Sequence, residues 1–129
     1  MHKGFIRTAA LFGTLAVLLG AFGAHALKNV ASENTIAIYE TGVKYQFYHT
    51  FALLLAAIIY KDFRGSHLIW AGRFFIAGII LFSFSLYILA GLQASGSVVF
   101  NWIGAITPVG GICFIAGWLM MFARLVKNR

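Results

Sequence analysis

Residues 74–123 read FFIAGIILFSFSLYILAGLQASGSVVFNWIGAITPVGGICFIAGWLMMFA, fifty positions without one Asp, Glu, Lys or Arg. A water-soluble domain of 129 residues has no interior large enough to hide such a stretch. About 20 apolar residues carry a helix across the hydrocarbon core of a bilayer, so this run is long enough to cross twice, turning at Gln93–Ser97. The requirement to live in lipid therefore sets most of the sequence.

The remainder agrees. The chain is 61% hydrophobic and only 10% charged, with a mean hydropathy of +0.89, against roughly 25% charged residues in a soluble domain. Nothing alternates with period two, as the strands of an outer-membrane barrel must. The expected fold class is all-α, a polytopic membrane four-helix bundle forming a single integral membrane domain over residues 1–129. Its spans are predicted at about 8–27, 45–60, 69–92 and 101–123. The second is short, but Lys44 and Lys61 flank it and can reach outward to the interface. Arg73, within the first turns of the third, is expected to do the same. The segment from His2 to Ala26 carries the parts of a secretory signal, including Ala24-His25-Ala26. It is nevertheless long enough to span and is read as a retained first span.

Charge orients the bundle. Eight of the ten Lys and Arg residues fall in the N-terminus (Lys3, Arg7), the second connection with the start of span three (Lys61, Arg64, Arg73) and the C-terminus (Arg124, Lys127, Arg129). Only Lys28 and Lys44 lie in the first connection, where Glu33 and Glu40 cancel them. The positive-inside rule then predicts a bacterial inner-membrane protein with both termini in the cytoplasm. The basic charge is expected to meet anionic lipid headgroups there, and no basic patch interleaved with aromatic residues suggests nucleic acid.

The first connection, Lys28–Lys44, is the long polar one. Ser32 or Asn34 can cap a helix there, which predicts either a short interfacial segment between spans one and two or a polar extension of span two. Small residues recur every four positions at Ala16, Gly20 and Ala24, and at Ala52 and Ala56. Such rows let helices touch closely in lipid; they predict packing within the chain, and a homo-oligomer is the second use for them. In span four, Thr107-Pro108 with Gly110-Gly111 is expected to bend the helix, because proline removes a backbone donor.

Aligned by their outer ends, the spans bring His49, Ser85, Tyr87, Thr107 and Pro108 to similar depth, with His25 nearer the surface and Tyr45 one turn from His49 on the same face. Polar groups inside a membrane are expensive, which makes this layer the best candidate for a ligand site; the structural alternative is that these groups satisfy one another and the backbone opened at Pro108. No catalytic residue is expected: there is no carboxylate within a span, no phosphate loop and no Ser/His/Asp set. The single cysteine, Cys113, reads as a small buried hydrophobe. His25, His49 and Glu40 could make a three-ligand metal site only if the first connection folded back over the bundle, so neither metal nor cofactor is expected.

Five stretches carry a wider resemblance: Gly20–Leu27 (GAFGAHAL), Thr41–His49 (TGVKYQFYH), Phe82–Tyr87 (FSFSLY), Ile106–Gly111 (ITPVGG) and Gly117-Trp118. In that order they cover nearly the whole chain, which resembles a small family of bacterial inner-membrane proteins of unknown biochemical function, the one that includes YgdD and YwdK and has eukaryotic relatives. The resemblance implies a four-helix membrane protein, points to the same residues and adds Ser83. Phe84 stands where that pattern has glycine, which predicts looser packing beside Ser83 and Ser85. The function expected is that of a non-enzymatic integral membrane protein binding a lipid or small amphiphile in its outer polar layer. The alternatives are a small transporter or channel component, or a purely structural or assembly role.

Overall fold

The computed structural model describes residues 1–98 and 101–127; Arg129, counted in the charge balance, lies outside them. The described residues form four helical rods and no strand. The first is α1 (Lys3–His25), followed by a single 3-10 turn, Leu27–Asn29. The second is α2 (Glu33–Ile59). The third rod is continuous but composite: α3 (Ser66–Gly78), a π turn (Ile79–Ser83) and α4 (Phe84–Ala94). The fourth is α5 (Asn101–Val126), which runs unbroken through Pro108.

Three of these rods are long and apolar enough to cross a membrane: Lys3–Asn29, Ser66–Ala94 and Trp102–Val126. The chain is an all-α membrane protein. At 27 residues α2 is as long, yet it is not among the three: it carries Glu33, Asn34, Glu40 and Lys44 on its exposed side and Gln46, His49 and Thr50 on its buried side. Thr35, Tyr39, Gly42, Gln46, His49, Leu53 and Ala56 are all buried, and their alternating steps of four and three place them in one seam facing the neighbouring helices. Within Lys28–Lys44, Lys28 and Asn29 belong to the 3-10 turn and Glu33–Lys44 forms the first part of α2. Ser32 caps α2 by accepting a hydrogen bond from the Thr35 amide at 3.2 Å, and the helix continues without a break past Lys44.

α2 is the central rod. It packs on α1 along one side and on α3, the π turn and α4 along the other, while α5 packs on α3, the π turn and α4. Both ends are tied. The His2 amide donates to the Ala57 carbonyl at 2.9 Å, and Arg124 donates to the carbonyls of Phe63 and Arg64. The N-terminus, the 60–65 connection and the end of α5 therefore share one end of the molecule. At the other, Thr35 donates to Gln93 at 2.9 Å. There α4 stops in a Schellman turn, with Ser97 N–H on the Leu92 carbonyl, Gly96 N–H on that of Gln93 and Gly96 at φ +69°.

The main apolar core lies toward the end with the termini: Phe5, Phe12, Leu53, Leu68, Phe75, Ile79, Phe114 and Met121, with intervening alanines, and the buried polar side chains Thr50 and His49 border it. Glycine lets these rings in. A β-carbon on Gly72 would stand 2.3 Å from the Phe5 ring, and one on Gly78 would stand 2.3 Å from that of Phe114. The small-residue row of α1 works within the chain along Ala9 and Ala16, which are buried, whereas Ala24 is exposed. The glycine missing at Phe84 has no loosening effect. The Phe84 ring turns toward α1, edge-on to Phe12 at 6.4 Å, and Ser83 and Ser85 stay buried.

Candidate functional site

The π turn organises the site. The Phe84 amide bonds to the carbonyl of Ile79, five residues back, so one extra residue swells the helix at Leu81-Phe82. π turns occur frequently at functional sites. α5 makes room for this one with Gly110, where a β-carbon would lie 2.4 Å from the Phe82 nitrogen. Beside that backbone contact, Ser85 and Thr107 share a hydrogen bond at 2.6 Å, and Ser85 also donates to the Phe82 carbonyl at 2.8 Å.

On the opposite side of the third rod, Ser83 and Tyr87 face α2 instead. Ser83 donates to the Gly42 carbonyl at 2.7 Å, and Tyr87 donates to the Gln46 side-chain oxygen at 2.6 Å. The Gln46 amide group in turn donates to the Phe12 carbonyl at 2.8 Å, so one fully buried side chain joins three rods. Tyr39, two turns from Gln46 along the seam, donates to the Leu19 carbonyl at 2.5 Å. These bonds satisfy the polar seam of α2 from within, whereas the buried Thr50 hydroxyl on the same helix has no hydrogen-bond partner among the described residues.

α5 reaches α2 through rings. His49 stacks on Phe114 with centroids 3.5 Å apart and planes 9° from parallel. Its Nδ1 lies 2.8 Å from the Tyr45 carbonyl, and its Nε2 lies 3.2 Å from the Trp118 indole nitrogen. A carbonyl only accepts and an indole N–H only donates. The imidazole is therefore neutral, protonated on Nδ1, with both nitrogens in use. Around this ring lies a cavity of about 430 Å³, lined chiefly by Tyr45, His49, Phe82, Pro108, Phe114 and Trp118. It opens between α2 and α5 past Ile112 and Ile115, which are 66% and 61% exposed.

The eight expected site residues thus divide. Tyr45, His49 and Pro108 meet in this groove. Ser85 and Thr107 form its neighbouring buttress, and Ser83 and Tyr87 fasten the third rod to α2. His25 ends α1 on the exposed surface, apart from all of them. Among the described residues no three His, Cys, Asp or Glu side chains converge as metal ligands. Gln46 was not among the expected site residues. The four-three spacing from Thr35 to Ala56 was the signal that could have found it. Phe114 gave no signal, since one phenylalanine in an apolar run looks like another.

A family model described as "Protein of unknown function (DUF423)" matches residues 19–111. That range contains four of the five stretches that carried the resemblance, together with the α2 seam, the π turn and Gly110. The chain is 41% identical over 126 residues to the UPF0382 membrane protein YwdK of Bacillus subtilis, covering 97% of this chain and 98% of that one. It is 44% identical to the UPF0382 membrane protein SSP2132 of Staphylococcus saprophyticus over 125 residues, covering 97% and 98%. It is 41% identical to the UPF0382 membrane protein SAB0533 of Staphylococcus aureus over 125 residues, covering 97% of each. No solved structure matches to significance. With residues 19–111 matched by its model and relatives at this identity along nearly the full length, the chain belongs to the DUF423 family of membrane proteins.

Proposed function

We propose that this protein is a non-enzymatic, multi-pass membrane protein that holds the apolar chain of a lipid or small amphiphile in the groove between α2, the π turn and α5. One observation carries the reading: the groove's only imidazole has both nitrogens engaged and its face covered by Phe114. It offers a flat apolar wall and no free base, nucleophile or metal ligand. The cavity's size falls within the roughly 300–1,000 Å³ of small-molecule sites. Its open side lies where lipid chains would be.

The same reading takes α2 as a fourth crossing, its polar seam turned inward and satisfied by neighbours as membrane burial requires. It takes the end bearing both termini and the 60–65 connection as cytoplasmic in a bacterial inner membrane, since Lys3, Arg7, Lys61, Arg64 and Arg124 gather there beside anionic headgroups. A transport path through one copy is disfavoured by the apolar core that fills that half of the bundle.

Native mass spectrometry from mild detergent tests the proposal. The wild type is expected to carry a reproducible apolar adduct. Gly111→Leu should carry one such adduct fewer while keeping its helical circular dichroism, because the nearest atom to a β-carbon at Gly111 is a Phe82 ring carbon at 3.9 Å, and the longer side chain grows into the groove. A ligand-free wild type, or equal occupancy in the variant, would overturn it.

A further inference from the structure

A second concavity lies at the other end of α2, between its polar extension and the last turns of α1. It measures about 190 Å³ and is lined by Gly20, Ala24, Tyr39, Val43, Glu40 and Lys44, with Gly23 beneath the Tyr39 ring. Its floor is closed: the Tyr39 hydroxyl is committed to the Leu19 carbonyl, so the interior wall is apolar. Its rim carries one acid and one base, both exposed.

The order of groups along α2 is informative. Glu40 lies nearest the end of the molecule. Lys44 follows one turn, about 6 Å, deeper. Deeper again come Phe47 and Phe51, stacked at 6.3 Å with Phe51 exposed. Negative, positive, apolar is the complement of a lipid whose ammonium lies outermost, its phosphate next and its chains below. This end of the bundle also has no net charge, Lys28 and Lys44 balancing Glu33 and Glu40, so it does not select anionic lipid by its general field.

We propose that this groove binds an aminophospholipid of the ethanolamine type, with its ammonium on Glu40, its phosphate on Lys44 and one acyl chain along Val43 and Phe47. A primary ammonium donates hydrogen bonds to the Glu40 carboxylate, whereas a quaternary choline ammonium has no N–H to donate. The charge-assisted bond is therefore the discriminating contact. Two carbons separate nitrogen from phosphate oxygen in this headgroup, a reach that suits side chains one turn apart. This site shares no lining residue with the groove beside His49, and its occupancy is read separately.

The test titrates the detergent-solubilised full-length protein with dioleoyl phosphatidylethanolamine, phosphatidylcholine or phosphatidylglycerol at equal concentration, and counts bound lipids by native mass spectrometry. The expected result is several-fold higher occupancy by phosphatidylethanolamine. Glu40→Gln should bring it down to the phosphatidylcholine level. Ala24→Leu, from an exposed position, should fill the groove and remove the preference with the helical content intact. Gly111→Leu should leave the preference unchanged. Equal binding of the three lipids, preference for phosphatidylglycerol, or a preference that survives either Glu40→Gln or Ala24→Leu would overturn the proposal.

Discussion

Two adjacent glycines in α5 should respond to alanine with opposite signs. At Gly110 the added carbon would stand 2.4 Å from the Phe82 nitrogen and 2.8 Å from both the Leu81 carbonyl carbon and the Phe82 α-carbon. All three are backbone atoms of the π turn and cannot rotate away, so α5 must retreat by about 1 Å to restore normal contact, enough to forfeit up to half of the dispersion attraction across that interface. Overpacking of this kind costs about 3 kcal/mol. The better helix propensity of alanine offsets about 1 kcal/mol, leaving Gly110→Ala destabilised by roughly 2 kcal/mol. At Gly111 the nearest atom is 3.9 Å away, an ordinary contact, and the propensity gain stands alone at about 1 kcal/mol. The two variants should therefore differ by about 3 kcal/mol, on the order of a hundredfold in the unfolding constant. Unfolding in mixed micelles of dodecyl sulfate and a non-ionic detergent, followed by circular dichroism, measures the difference. Equal stability of the two, or a less stable Gly111→Ala, would refute the idea that the π turn is seated on Gly110.

The Gln46 junction lends itself to a double-mutant cycle. Gln46→Leu should cost about 1–3 kcal/mol by stranding the Tyr87 hydroxyl, Tyr87→Phe should cost about 1 kcal/mol, and the pair together should cost less than the sum by about 1 kcal/mol; additivity within a few tenths would show that the bond contributes nothing. Orientation is read by fusions. A fluorescent protein that matures only in the cytoplasm should light up when attached after residue 129, and an alkaline phosphatase active only outside should work when inserted at Gly96. The reverse pattern would invert the proposed topology.

Membrane residence and helical class follow from composition alone, because no soluble arrangement tolerates fifty uncharged residues. Rods one, three and four were legible for the same reason, and the charge asymmetry placed the termini and the second connection together before any contact was known. Ser32 as the cap of α2 was also readable, since capping is local chemistry. The neighbours of the polar residues were not. Depth along a span predicts that two side chains lie at one level, but rotation about the helix axis decides whether they meet. His49 and Tyr87 were expected in one layer, yet they face different partners, His49 toward Trp118 and Tyr87 toward Gln46. The π turn was invisible for a related reason: Ile79–Ser83 has ordinary helix formers, and the swollen backbone packs against Gly110 of another rod.

By itself, then, the sequence determined the solvent in which this protein lives, its helical class and which ends carry the charge. All of these depend on transfer free energies that sum along the chain and need no knowledge of neighbours. Only the tertiary structure decided that α2 turns Gln46 and His49 inward, that His49 stacks on Phe114 with both ring nitrogens partnered, and that two separate grooves flank α2. Those outcomes depend on which rods share a face, a property of pairs of helices that no single segment encodes.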